Sequence, residues 1–247
     1  METAPRELDR PAFYALRPGG WRDIVTLLHP PYTAWHLSYV VIGACLAPHV
    51  DISRLVATLL AFFAAVGLSA HALDELHGRP LRTTIPASTL VVLAVVGLAV
   101  AVGLGVAGVA RVGWVLVPFI VAGPALVVAY NAELFGGVVH TDAGFAAAWG
   151  AFPLVTAYVA QADGLGVAPV FGAVGAFALS YAQRSLSTPA RMLRRRVTDV
   201  RGAMTLTDGT VRRVDDQLLR VPLERALRAL SWGVMALAAA FAVARLR

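Results

Sequence analysis

The chain has 247 residues, of which 58% are hydrophobic and only 15% charged, and its mean hydropathy is +0.69. A soluble domain carries roughly a quarter charged residues, so this composition excludes one. The formal net charge of +6 would suit nucleic acid, but in a membrane chain the placement of charge outweighs its sum, and no nucleic-acid partner is expected.

The apolar residues fall in blocks long enough to cross about 30 Å of hydrocarbon as helices. The expected fold is an all-α, polytopic transmembrane helical bundle. Residues 1–32 read as a cytosolic N-terminal arm and 33–247 as the bundle. In the arm, Trp21 to Leu28 gathers its apolar residues on one face and predicts a short interfacial helix, ended by His29-Pro30-Pro31. The arm is polar and broken by prolines, so no cleavable signal peptide is expected. About seven spans follow, at 33–50, 54–71, 88–109, 113–130, 144–161, 167–186 and 226–244. In the third, Gly97, Gly103, Gly105 and Gly108 predict close helix packing.

All 21 basic residues are Arg. With the N-terminus inside, only Arg54, Arg111, Arg245 and Arg247 fall outside, the asymmetry of the positive-inside rule. Arginine without lysine, amid abundant Ala, Val, Gly and Leu, is the usage of a GC-rich bacterial genome, so a bacterial cytoplasmic membrane is the expected location. Outer connections are short, and the polar loops 72–87, 131–143 and 187–225 face the cytosol. The single Cys45 excludes an intrachain disulfide and a Cys-based metal site. In the Arg-rich loop 187–225, Asp208-Gly209 between β-prone runs predicts a small hairpin over the cytosolic mouth. A lone hairpin is marginal in water, so it is expected to pack on the bundle.

Candidate chemistry lies in these loops. The stretch Ala70 to Arg82 (AHALDELHGRPLR) sets His71, Asp74 and Glu75 at helical spacing, one face holding all three. Charges between two spans are a functional-site signal by default. Asp74 and Glu75 suit a divalent cation and Arg79 and Arg82 a phosphate; the bland reading is charges snorkelling to water. In the second loop, Asn131 and Glu133 are substrate-binding candidates or simply a helix end. His140 and Asp142 read as a weak metal pair or, preferably, as the cap of the next helix. After span six, Arg184 and Arg191 read as phosphate clamps or as topogenic charges, and Arg194 to Arg196 as topogenic. A nucleophile elbow and a P-loop are both missing from the sequence.

The order of these segments resembles the UbiA superfamily of intramembrane prenyltransferases. Leu28-His29-Pro30-Pro31-Tyr32-Thr33 is similar to that family's R-P-x-T start. Arg79-Pro80-Leu81 resembles the end of its first Asp-rich motif, with Glu75 at that motif's last Asp and His71 at its middle one. Tyr130 to Phe135 followed by Trp149 to Pro153 resembles its central loop and the helix after it. The second Asp-rich motif would fall near Gln183 to Ser187, where no carboxylate stands. The resemblance implies an isoprenyl diphosphate substrate and Mg²⁺, here one ion on Asp74 and Glu75. His71, Arg79, Arg82, Asn131, Glu133, Arg184 and Arg191 would hold the substrate, and the bundle interior would shelter the prenyl chain. A second expectation is a non-catalytic membrane protein that binds isoprenoid or anionic lipid, or a membrane scaffold.

Overall fold

A computed structural model describes residues 10–245. The chain is mostly helical, with one small two-stranded sheet. Eight helices are used below: α1 Trp21–Leu27, α2 Pro30–Leu46, α3 Ile52–Leu76, α4 Ala87–Val112, α5 Trp114–Asn131, α6 Asp142–Ala162, α7 Val167–Arg195 and α8 Asp216–Arg245. The strands are β1 Gly202–Thr205 and β2 Val211–Val214, paired antiparallel.

Five of these helices, α3, α4, α5, α6 and α8, are long and apolar enough to cross a membrane. The sequence predicts about seven spans; α2 and α7 are the two that do not meet that criterion among the described residues. The reason is physical. Helix α2 has 17 residues and buries Thr33, Trp35, His36, Ser38 and Tyr39 against its neighbours, so it is a core helix whose interior contacts tolerate polar side chains. Helix α7 has a C-terminal half rich in Arg and Ser. By contrast, α4 has an apolar window only 17% buried, and Val91, Val92, Val95, Val96 and Val100 face outward.

Local chemistry sets the element ends. His29 takes a left-handed conformation (φ 46°), and Pro30 and Pro31 occupy the first positions of α2, where a missing N–H costs nothing. The expected helix stop is therefore also a helix start. Asp51 caps α3, its Oδ1 accepting from the backbone N–H of Ser53 at 2.7 Å and Arg54 at 3.1 Å. The cap of α6 is Thr141, whose Oγ1 accepts from Gly144 N–H at 2.9 Å. Asp142, the expected cap, is instead the first residue of the helix and turns outward to Arg184.

Two helices relax into π-helical turns, α3 at Phe63–Ala70 and α6 at Ala147–Ala151. Close helix approach surrounds them. A Cβ on Gly43 would stand 2.1 Å from Leu154 O, one on Gly150 2.6 Å from Ala176 O, and one on Gly97 2.6 Å from Ala64 O. Of the glycines expected to pack in α4, Gly97, Gly105 and Gly108 meet neighbours, whereas Gly103 faces open space.

The hairpin forms around Asp208-Gly209, with Gly209 at φ 81° as the tight turn requires. It does not pack on the bundle. Residues 201–213 are all exposed, so the expected cap over the mouth is a projecting hairpin. Its tip is held by Asp208, whose carboxylate accepts from Thr210 N–H at 2.9 Å.

Candidate functional site

The C-terminal ends of α3 and α7, the start of α2 and the arm converge on one polar region. Asp74 and Glu75 close α3, but adjacent helical residues point about 100° apart, and the two carboxylates part company. Glu75 is fully buried. It accepts from the backbone N–H of Leu81 and Thr83, each at 2.9 Å, and from Thr83 Oγ1–H at 2.8 Å. Glu75 thus holds the 78–85 loop, and its oxygens are spoken for. This corrects the expectation of one face bearing His71, Asp74 and Glu75 together.

Asp74 is half-buried and makes no hydrogen bond or ion pair among the described residues. Its electrostatic neighbours are Arg191, Arg195, Glu75 and Arg184. Arg191 is half-buried, with only a 3.5 Å contact to Thr188 Oγ1. Arg184 donates from Nε to Asp142 Oδ1 at 3.2 Å, lies 3.4 Å from His140 Nε2, and sits 5.5 Å over the Phe145 ring. A free carboxylate and a largely uncommitted guanidinium thus share the mouth with a third group already oriented by its partners.

Histidine and tyrosine complete the lining. His71 stacks on His29 at 4.1 Å and 10°. The π-helical turns each offer a carbonyl to an imidazole: His71 Nδ1 lies 3.2 Å from Gly67 O, and His36 Nδ1 lies 2.8 Å from Trp149 O. A carbonyl only accepts, so Nδ1 carries the proton in both rings. His29 Nδ1 pairs with Tyr14 Oη at 2.9 Å. Burial, then His71 and the arginines Arg195 and Arg191, push the His29 pKa well below the usual imidazole range. Burial, then Tyr32, raises Tyr14, against the opposing pull of Arg195 and Arg191. Two buried polar atoms here, His29 Nε2 and Tyr130 Oη, have no hydrogen-bond partner among the described residues. Tyr130 also lies in the electrostatic range of Arg184, Arg191 and Asp74.

An apolar cavity of about 320 Å³ runs to the far end of the bundle, lined by Arg54, Phe62, Arg111, Phe119, Trp149 and Phe152 among others. Along α3 its lining runs from Ser53 to Val66, which leaves about 12 Å of helix up to Asp74. Tyr130 and Trp149, in edge contact at 5.7 Å, pack with Val66 and Ala70 at the intervening level.

The other sequence-predicted residues stand apart from this centre. Arg79, at φ 53°, donates from Nη1 to Ile85 O at 2.5 Å and so serves the loop. Arg82, at φ 55°, is exposed. Asn131 donates from Nδ2 to Val127 O at 2.8 Å, closing its own helix. Glu133 is exposed, at φ 48°. Arg194 and Arg195, expected to be topogenic only, are committed. Arg194 pairs with Glu224, both buried, and Arg195 Nε donates to Pro11 O at 3.1 Å. The residues that sequence reasoning passed over are Tyr14, His29, His36 and Tyr130. The one available signal was the density of His and Tyr beside Pro30-Pro31.

Among the described residues, no group of three or more His, Cys, Asp or Glu side chains could hold a metal ion. No family model matches the chain, and neither curated proteins nor solved structures give a match.

Proposed function

We propose that this chain is a divergent UbiA-like membrane prenyltransferase that acts on an isoprenyl diphosphate at the cytosolic face. It would lie in a bacterial cytoplasmic membrane with α2 and α7 completing seven spans and the N-terminus inside. The observation that carries the reading is Asp74 left free among Arg191, Arg195 and Arg184, above an apolar cavity. The guanidinium fork matches phosphate oxygens. Tyr130 Oη and His29 Nε2 are further polar groups without a hydrogen-bond partner among the described residues.

In prenyl transfer the C1–O bond breaks and its electron pair leaves with the diphosphate. A nucleophilic acceptor forms the new bond to C1 and releases its proton to water. Charge accumulates on the leaving oxygens, so Arg191 and Arg184 stabilise the step electrostatically. The donor set does not fit a multi-metal clamp, because Glu75 is buried and holds the loop through three hydrogen bonds. It fits at most one Mg²⁺, held by Asp74 with substrate phosphate and water as remaining ligands. When bound, that ion would add charge neutralisation at the diphosphate.

Purified protein with labelled prenyl diphosphates, a panel of nucleophilic acceptors and Mg²⁺ tests the reading, as wild type, Asp74→Asn and Arg191→Gln. Turnover that falls at least tenfold in both variants supports it. One specific observation favours a second reading: with Glu75 engaged by the loop, a single carboxylate remains. Metal-independent binding that needs Arg184 and Arg191, without turnover, would identify a non-catalytic isoprenoid or anionic-lipid binder instead. Binding indifferent to Asp74, Arg184 and Arg191 would sink both.

A further inference from the structure

Residues 10–29 lie across the same mouth, and their attachments divide into a fixed base, a joint and a latch. The base is Asp23, buried at the start of α1. Its Oδ1 accepts from Gly19 N–H at 3.0 Å, and its Oδ2 accepts from Thr84 N–H at 2.8 Å. This ties α1 to the loop that Glu75 holds. The joint is Gly19-Gly20, with φ of 120° and 58° and open space around both. Consecutive glycines in conformations that other residues rarely adopt can absorb a large change in backbone angle.

The latch is cationic. Arg194 Nη1 donates to Arg10 O at 3.2 Å, and Arg195 Nε donates to Pro11 O at 3.1 Å. The Arg228 guanidinium lies 4.9 Å over the Phe13 ring. Behind the latch, Pro11, Ala12 and Ala15 are buried, and Tyr14 reaches His29 within the field of Arg195, Arg191 and Asp74. A neutral carbonyl thus occupies a guanidinium N–H at the edge of a site built for anions. The carbonyl is neutral and accepts one N–H, whereas a phosphate carries opposite charge and can take two guanidinium N–H groups at once, so a phosphate group outcompetes that carbonyl.

We infer that residues 10–18 form a strap that closes the cytosolic mouth and is released when a diphosphate group takes Arg195 from Pro11, the strap swinging about Gly19-Gly20. The inference rests on the anion site proposed above. It adds that the free protein ties Arg195, beside the anion site, to its own arm.

The experiment is hydrogen exchange of the full-length protein in lipid nanodiscs, with and without inorganic pyrophosphate, and with pyrophosphate binding followed by ³¹P NMR. The reporting amides are Ala15, bonded to Ala12 O at 3.1 Å, and Leu16, bonded to Thr26 Oγ1 at 2.9 Å. Pyrophosphate is expected to speed their exchange at least fivefold. Arg195→Gln and, independently, Arg228→Gln are expected to speed it without ligand, with Asp23-anchored α1 unchanged. Bound pyrophosphate that leaves these amides as slow as before overturns the strap and leaves the anion site standing. No pyrophosphate binding to wild type or to either unlatched variant overturns both. Binding seen in Arg228→Gln, which keeps Arg195, but not in wild type supports the strap, since the latch is then what blocks the site.

Discussion

The rings of His29 and His71 stack face to face at 4.1 Å, joining the N-terminal arm to the C-terminal end of α3. His29 is buried and held neutral, its pKa depressed first by burial and then by His71 and two arginines.

That depression sets a pH dependence. The unfolded chain takes up a proton on His29 near pH 6.5, while the folded chain resists. Between those two values the unfolded state binds more protons, so stability rises with pH. Stability is therefore complete above about pH 6.5 and declines below it by up to about 1.4 kcal/mol per pH unit. Thermal melts at pH 7.5, 6 and 5 should show the decline, and His29→Gln should flatten it. An unchanged slope in the variant would assign the pH effect elsewhere.

Two neighbouring carboxylates should behave oppositely. Glu75→Ala strands three buried donors and is expected to cost about 3 kcal/mol or more. Asp74→Asn removes no hydrogen bond among the described residues, so its melting temperature should stay close to wild type while ligand binding falls at least tenfold. Denaturation in detergent alongside prenyl diphosphate binding separates the two.

Helix contacts supply a second contrast. Gly43→Ala drives a methyl to 2.1 Å from Leu154 O, so α2 and α6 must separate, at a cost of about 1–3 kcal/mol or more. Gly103 has open space around it, and Gly103→Ala should stabilise by up to about 1 kcal/mol through helix propensity. Melting temperatures that move in the same direction would contradict the packing described for one of them.

Glu224 sits between Arg194 and Arg220, accepting from Arg194 Nη2 at 2.9 Å and Arg220 Nη1 at 3.1 Å. All three side chains are buried. Glu224→Gln leaves two guanidinium groups facing each other, and breaking a buried pair costs about 3–5 kcal/mol. Because Arg194 also holds Arg10 O, the variant should raise exchange in residues 10–16 as well as lower the melting temperature.

Much of the architecture was legible in the residues alone. Apolar blocks long enough for a bilayer predicted the helices, because hydrocarbon burial and helix length are both local properties. Asp208-Gly209 predicted the hairpin for the same reason. The failures were of contact. Whether β1 and β2 pack on the bundle depends on surfaces far away in the chain. The cap of α6 went to Thr141 because Asp142 had a distant partner in Arg184.

Sequence by itself determined a helical chain suited to a membrane and connecting loops dense in arginine. Only the tertiary structure decided which groups there are free. Glu75 turns to the 81–83 backbone, and Asp74 is left facing arginines more than a hundred residues away in the chain. Covalent order specifies how residues are spaced, but a polar side chain's role follows from which donor reaches it first in space. For a buried charge that competition is worth several kcal/mol.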